Sequence, residues 1–146
     1  TEALQKNAVE ERVIFVDVYT NWCGWCKKMD ATTFQDKQVV EYMNEHYYAV
    51  KFNAEMGDTI RFNEQLFVNE NFGKRGATHQ LAIALLDGKM SYPSYAFIGN
   101  PWNKTVAPGY MGAPDFQCVL KYFVEGAPSG QTYDQFKVDG CRVAAN

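Results

Sequence analysis

The seven residues Val-Ile-Phe-Val-Asp-Val-Tyr from Val13 to Tyr19 are apolar except for Asp17. Such a run suits a strand buried on both faces of a parallel or mixed sheet. Residues 2–10 read as a short amphipathic helix leading into it. After the strand the pattern shifts to helical spacing up to about Thr32. Asp36 then stands where an N-cap is needed, ahead of a helix whose buried face is Val39, Val40, Met43 and Tyr47. Residues 48–53 read as the next strand. The stretch 55–89 is long and polar in its first half, and is expected to hold a helix over 59–69, a Gly turn at 73–76 and a buried helix over 80–86 that stops at Gly88. A strand over Ser94–Ile98 follows Tyr92-Pro93. Gly99-Asn100-Pro101 makes a turn, and Lys104–Pro108 pairs back as a hairpin strand. Pro114 opens a last helix with Phe116, Val119, Leu120 and Phe123 on one stripe. The tail from Pro128 is rich in Gly, Ser and Asp, with Tyr133 and Phe136 as anchors.

Strand–helix units followed by a hairpin and a closing helix predict an α/β fold, a central mixed sheet flanked by helices. The 146 residues suit a single domain over 1–146, with its core over about 13–126 and a tail over 127–146 packed on it. Charge narrows the partners. A net charge of −3, without a basic run interleaved with aromatics, argues against nucleic acid. No apolar stretch approaches the roughly 18 residues of a membrane span. The chain begins at Thr1 without a Met, which predicts that an upstream segment was removed.

The candidate chemistry lies where the first strand meets its helix, in Trp22-Cys23-Gly24-Trp25-Cys26. Two cysteines separated by two residues at a helix start are what thiol–disulfide exchange needs. The first sulfur meets unpaired N–H groups and the positive end of the helix dipole, which favour a thiolate. The second lies one turn in, ready to close a disulfide, and the thiolate is the attacking species. The rival reading is half a zinc site completed by Cys118 and Cys141. Zinc ribbons present two close pairs, whereas Cys118 and Cys141 are far apart in sequence, so exchange chemistry is preferred and no metal is expected. Gly24 and the helix start suggest an exposed pair.

Asp17, the Trp-Cys-Gly-Trp-Cys-Lys motif and Tyr92-Pro93 together resemble the thioredoxin-like superfamily. Within it, Val16-Asp17-Val18-Tyr19, Trp22-Cys23, Cys26-Lys27 and Thr33-Phe34 before Asp36 and Val39 resemble the C-terminal thioredoxin-like domain of the bacterial transmembrane disulfide reductase and its stand-alone relatives. The likeness spans about residues 13–123. It implies a thioredoxin-like fold with an enlarged helical segment before a cis-proline strand. It also implies that Cys23 is the nucleophile, that Cys26 resolves the mixed disulfide, that Asp17 lies behind Cys26 and takes its proton, and that Lys51 lies near that acid. Pro93 matches the cis-proline facing the cysteines, and the backbone of Tyr92 would pair with an extended substrate. Two residues depart from the compact thioredoxins: Trp25 replaces a proline and Tyr19 a tryptophan.

Read from the residues alone, Asp17 is either a structural acid bonded to backbone or Lys51, or a carboxyl whose pKa burial raises until it can accept a proton near neutrality. Pro93 could be trans and start an edge strand. Cys118 lies off the apolar stripe of its helix and need not be core; it bridges to Cys141 and pins the tail, or both remain free thiols. Trp22, Trp25, Tyr92, Tyr95 and Trp102 could frame an apolar groove around the cysteines, suited to extended peptide, and Trp22, Gly24, Trp25, Tyr92 and Pro93 are the candidate substrate-binding residues. Tyr95 and Trp102 could equally be packing residues. His46 and His79 read as structural or solvated.

The leading expectation is a thiol–disulfide oxidoreductase acting on protein substrates, in the reductant direction by family likeness. It would work as a monomer without a metal or organic cofactor, with a redox partner to reset the pair. An exported, periplasm-like setting is expected, a cytoplasmic one being the alternative. A non-catalytic peptide- or protein-binding module of the same fold is the rival function. A cysteine peroxidase ranks below both, because no Arg stands near Cys23 or Cys26 in sequence to polarise a peroxide.

Overall fold

The computed structural model describes residues 2–99 and 103–142. Twelve elements are used below: α1 (Glu2–Val9), β1 (Val13–Tyr19), α2 (Gly24–Ala31), α3 (Lys37–His46), β2 (Tyr47–Asn53), β3 (Ile60–Phe62), β4 (Gln65–Phe67), α4 (Gln80–Leu85), β5 (Ser94–Ile98), β6 (Lys104–Pro108), α5 (Ala113–Lys121) and α6 (Tyr133–Val138). Asp36 caps α3 as its sequence position predicts, its carboxylate accepting from the Gln38 and Val39 N–H groups at 3.0 and 3.1 Å. The expected turn at Gly99-Asn100-Pro101 and the side chain of Trp102 lie outside the described residues, apart from Gly99 itself.

The main sheet runs β2-β1-β5-β6. β1 and β2 are parallel, with Val13 opposite Tyr47 and Asp17 opposite Lys51. β1–β5 and β5–β6 are antiparallel, so the sheet is mixed. Alternation along β1 sends its apolar side chains to two cores. Ile14, Val16 and Val18 meet Phe52, Ala96, Leu81 and Leu85 on the α4 side. Phe15 meets Met29, Val39, Tyr95, Phe97, Phe116 and Leu120 on the side of α2, α3 and α5. By the same alternation Asp17 faces that second core.

The aromatic residues concentrate there. The Phe15 ring lies 5.5 Å from Tyr95, 5.3 Å from Phe97 and 5.7 Å from Phe116. Each such pair adds about 0.5–1.5 kcal/mol beyond its burial. This tight stack holds the strand that carries Asp17.

Four expectations need correction. Residues 59–69 form no helix: β3 and β4 pair as an antiparallel hairpin, Ile60 opposite Phe67. The turn residues Asn63 and Glu64 have φ of 49° and 63°, the left-handed backbone of a tight hairpin turn. The segment before β5 is therefore enlarged by a hairpin, and only α4 within it is helical. Val40 is exposed, because the Val39–Met43 stripe of α3 faces the core and Val40 lies one position round the helix. Cys118 is buried, 4% exposed, because it is bonded to Cys141. Cys23 and Cys26 are also only 4% exposed each, less open than the helix start suggested.

Candidate active site

β1 delivers the chain to the site. After Tyr19 it turns through Thr20, whose carbonyl accepts from the Cys23 N–H at 3.4 Å. Cys23 is the N-cap of α2: its backbone is extended and its sulfur accepts from the Cys26 N–H at 3.1 Å. The sulfur thus occupies the place where unpaired helix N–H groups favour negative charge. Cys23 and Cys26 are disulfide-bonded, with Cα atoms 5.3 Å apart. Gly24 between them has open space where a Cβ would stand.

Asp17 is 5% exposed, and its Oδ1 has no hydrogen-bond partner among the described residues. Burial raises its carboxyl to a pKa of about 6; the Lys51 charge opposes that rise and Asp30 adds to it. Lys51, opposite Asp17 in the parallel ladder, donates to Asp30 at 2.7 Å and lies 4.9 Å from the Tyr19 ring centroid. Among the described residues Lys51 pairs with Asp30 and makes no hydrogen bond or ion pair with Asp17, on which it acts only through its charge. A cavity of about 390 Å³ borders Asp17, Asp30 and Lys51, so open space reaches the carboxyl from the α3 side. Tyr95, paired with Asp17 across β1 and β5, is fully buried with no partner for its hydroxyl among the described residues. It belongs to the core, not to the groove.

The rim is built from two aromatic pairs. Trp22 is 64% exposed; its ring meets Tyr92 edge-on at 5.7 Å, and its indole N–H donates to Glu55 at 3.0 Å. Trp25 is 57% exposed and its ring lies 5.5 Å from Tyr110. The Lys28 ammonium sits 5.0 Å from the Trp25 centroid and 5.1 Å from that of Tyr110. Tyr92 and Tyr110 are brought to the same end of the sheet by the β5–β6 hairpin, where the Gly109 N–H donates to the Pro93 carbonyl at 2.8 Å. The Tyr92–Pro93 peptide is cis.

The Cys23–Cys26 pair, with Gly24 and Trp25 between its members and Trp22 before it, is joined to Tyr92 and the adjoining Pro93 through the Trp22–Tyr92 ring contact. Asp17 and Lys51 lie opposite each other in the sheet, and Lys51 bonds Asp30, four residues beyond Cys26 on α2. Cys118 and Cys141 pair with each other elsewhere, joining α5 to the chain beyond α6. The residues that sequence reasoning missed are Lys28, Asp30, Glu55 and Tyr110. Lys28 and Trp25 are three apart on one helix, a spacing that places side chains side by side. Glu55 and Tyr110 carry no such local signal. His79 is structural: it caps α4 through Nδ1, which accepts from Leu81 N–H at 3.1 Å, and its Nε2 lies 2.7 Å from the Asp58 carbonyl.

A family model described as Thioredox_DsbH, protein of unknown function, DUF255, matches residues 1–100. A comparison with curated protein sequences finds no match. Among solved structures, a protein from Bacteroides thetaiotaomicron assigned as a disulphide-isomerase is 27% identical, with a TM-score of 0.59 over 85% of this chain and 86% of that one. A thioredoxin-fold protein from Helicobacter pylori is 16% identical, with a TM-score of 0.62 over 89% of this chain and 80% of that one. The reduced C-terminal domain of DsbD from Neisseria meningitidis is 16% identical, with a TM-score of 0.53 over 80% of this chain and 86% of that one. The fold is that of thioredoxin.

Proposed function

We propose that this chain, which belongs to the Thioredox_DsbH family, is a thiol–disulfide oxidoreductase that reduces disulfides in protein substrates through Cys23 and Cys26. The observation that carries this reading is a bonded cysteine pair whose first sulfur caps the helix that follows a strand holding a buried carboxyl with a raised pKa.

In the reduced protein the Cys23 thiolate attacks one sulfur of a substrate disulfide. That bond breaks, a Cys23–substrate disulfide forms, and the leaving sulfur departs as a thiolate that takes a proton from solvent. Cys26 then gives its proton to Asp17 and attacks the Cys23 sulfur. The second substrate sulfur leaves as a thiolate, and the Cys23–Cys26 bond closes. Two electrons pass from the dithiol to the substrate, and a dithiol partner protein returns them. A carboxyl with a pKa of about 6 is ionised at neutral pH yet basic enough to accept a proton, the match that proton transfer requires. Lys51 acts as a positioning residue, its charge keeping Asp17 from rising further. The Tyr92 backbone beside Pro93 pairs with the extended substrate, while Trp22, Gly24 and Trp25 form the surface on which it lies.

No described helix is long and apolar enough to cross a membrane. An exported, periplasm-like setting suits a protein whose second cysteine pair, Cys118–Cys141, is also oxidised, since such bonds persist in oxidising compartments. We take the working unit to be a monomer.

The test is turnover of a disulfide-containing protein such as insulin, driven by dithiothreitol, with wild type and Cys23→Ser. Wild type should accelerate reduction and Cys23→Ser should not. Cys26→Ser should trap a mixed disulfide visible by mass. A wild-type protein that holds peptide but accelerates nothing would instead be a non-catalytic binding module.

A further inference from the structure

The two aromatic pairs that flank the cysteines end in opposite charges. On one side the Trp22–Tyr92 pair is tied to the Glu55 carboxylate, which accepts the indole N–H at 3.0 Å. On the other, the Trp25–Tyr110 pair is capped by the Lys28 ammonium, about equally far from both rings. Neither charge is neutralised by an ion pair among the described residues, whereas nearby Lys51 and Asp30 neutralise each other at 2.7 Å. Glu55 is also held firmly. Its backbone N–H donates to the Asn53 side chain at 3.0 Å, and buried Asn69 ties the carbonyls of Glu55 and Met56 at 3.4 and 3.1 Å. Asn69 follows directly on the β3–β4 hairpin, so the inserted segment fixes the position of this carboxylate.

We propose that the mouth of the site is a charge-polarised aromatic groove. It selects an extended peptide with a basic residue on the Glu55 side of the reacting cysteine and an acidic residue on the Lys28 side. The proposal rests on the oxidoreductase reading and adds substrate selection to it. Trp22 and Trp25, adjacent to Cys23 and Cys26, supply apolar area for the peptide on either side of the reacting sulfur. Ring faces contribute little orientation, because a peptide reversed end for end presents them with much the same apolar surface. Unlike charges at the two ends do orient it, since reversal places like charges together at both. The order of charges along the peptide therefore sets which direction is productive.

The experiment uses short peptides with one cysteine carried as a mixed disulfide with thionitrobenzoate. The Cys23 thiolate attacks the peptide sulfur, and the coloured thionitrobenzoate thiolate leaves. Cys26 then attacks Cys23 and frees the peptide thiol, so each release reads one two-electron oxidation of the protein. Three peptides are compared: Lys before and Asp after the cysteine, the reverse order, and a neutral Ser version. One charged order should outrun the other by about three- to tenfold at low salt, as two exposed pairs imply, and the difference should collapse near 1 M salt. In Lys28→Glu combined with Glu55→Lys the ranking should invert, each protein being judged by its own ratio. The wild-type salt series stands as evidence if that variant does not fold. Equal rates for both orders, with the neutral peptide reacting, would overturn the groove and leave the oxidoreductase reading intact. Failure of all three peptides to react would overturn both.

Discussion

Asp17 is the residue on which chemistry and stability meet. Its carboxyl is raised to about 6 by burial, so between the ordinary carboxylate range and pH 6 the folded protein binds more protons than the unfolded chain. Stability therefore falls as pH rises through that window, the reverse of an acid in a salt bridge. Asp17→Asn removes this cost. It should stabilise the protein by up to about 3 kcal/mol at neutral pH, with the gain vanishing near pH 4; urea unfolding at both pH values checks it, and a gap that does not depend on pH would sink the assignment. In the mechanism we propose, the same group also sets the rate at which Cys26 releases substrate. That rate should climb as pH passes about 6 in wild type and lose this limb in Asp17→Asn. Lys51→Met removes the cation that opposes the rise, so its limb should move upward in pH. A limb that stays in place or moves down would show that the Lys51 charge does not reach Asp17.

At the scale of elements, what was legible followed from long or chemically marked patterns. β1 could be read because seven residues in a row carry one signal, and α3 because Asp36 marks its start. The Cys23–Cys26 site was legible because chain neighbours carry its chemistry. The hairpin was not. Ile60–Phe62 and Gln65–Phe67 are three residues each, too short for a two-residue period to be told from a helical one. Their turn, Asn63-Glu64, also lacks the glycine that usually announces such hairpins. Glu55 and Tyr110 escaped for a related reason, since only tertiary pairing brings them to Trp22 and Trp25. The unusual turn gives a prediction: Glu64, at φ 63°, is strained for a residue with a Cβ. Glu64→Gly should stabilise by about 0.5 kcal/mol, strain relief slightly exceeding the added chain entropy; a loss of stability in denaturant unfolding would contradict this. The second disulfide closes a separation of 23 residues around α6. Replacing both Cys118 and Cys141 by Ala should cost roughly 3 kcal/mol while insulin reduction continues below the new melting point. Loss of turnover in the still-folded variant would instead tie this pair to the chemistry.

For the molecule as a whole, direction of electron flow and folding stability are one quantity seen twice. Four states form a cycle: native and unfolded, each with the Cys23–Cys26 pair oxidised or reduced. If folding stabilises the disulfide more than the dithiol, the native pair is harder to reduce than in the unfolded chain, and its reduced form is the better electron donor. Two local effects oppose each other. The α2 N-terminus favours a Cys23 thiolate and with it the reduced form, an effect of about 0.3–2 kcal/mol. Against it, the fold holds the two Cα atoms 5.3 Å apart, within the span a disulfide needs, so closing the bond costs less chain entropy than in the unfolded chain, and we take this preorganisation to outweigh a single helix terminus. The balance favours the disulfide. The oxidised protein should therefore resist urea better than the reduced one by about 1–3 kcal/mol, equivalent to roughly 20–60 mV of potential. The measurement belongs in the Cys118→Ala, Cys141→Ala background, where only the active pair changes state and both forms share every other difference. A reduced form that outlasts the oxidised one would reverse the direction: folding would then be pushing electrons into the pair, and the protein would donate disulfides to its substrates rather than remove them.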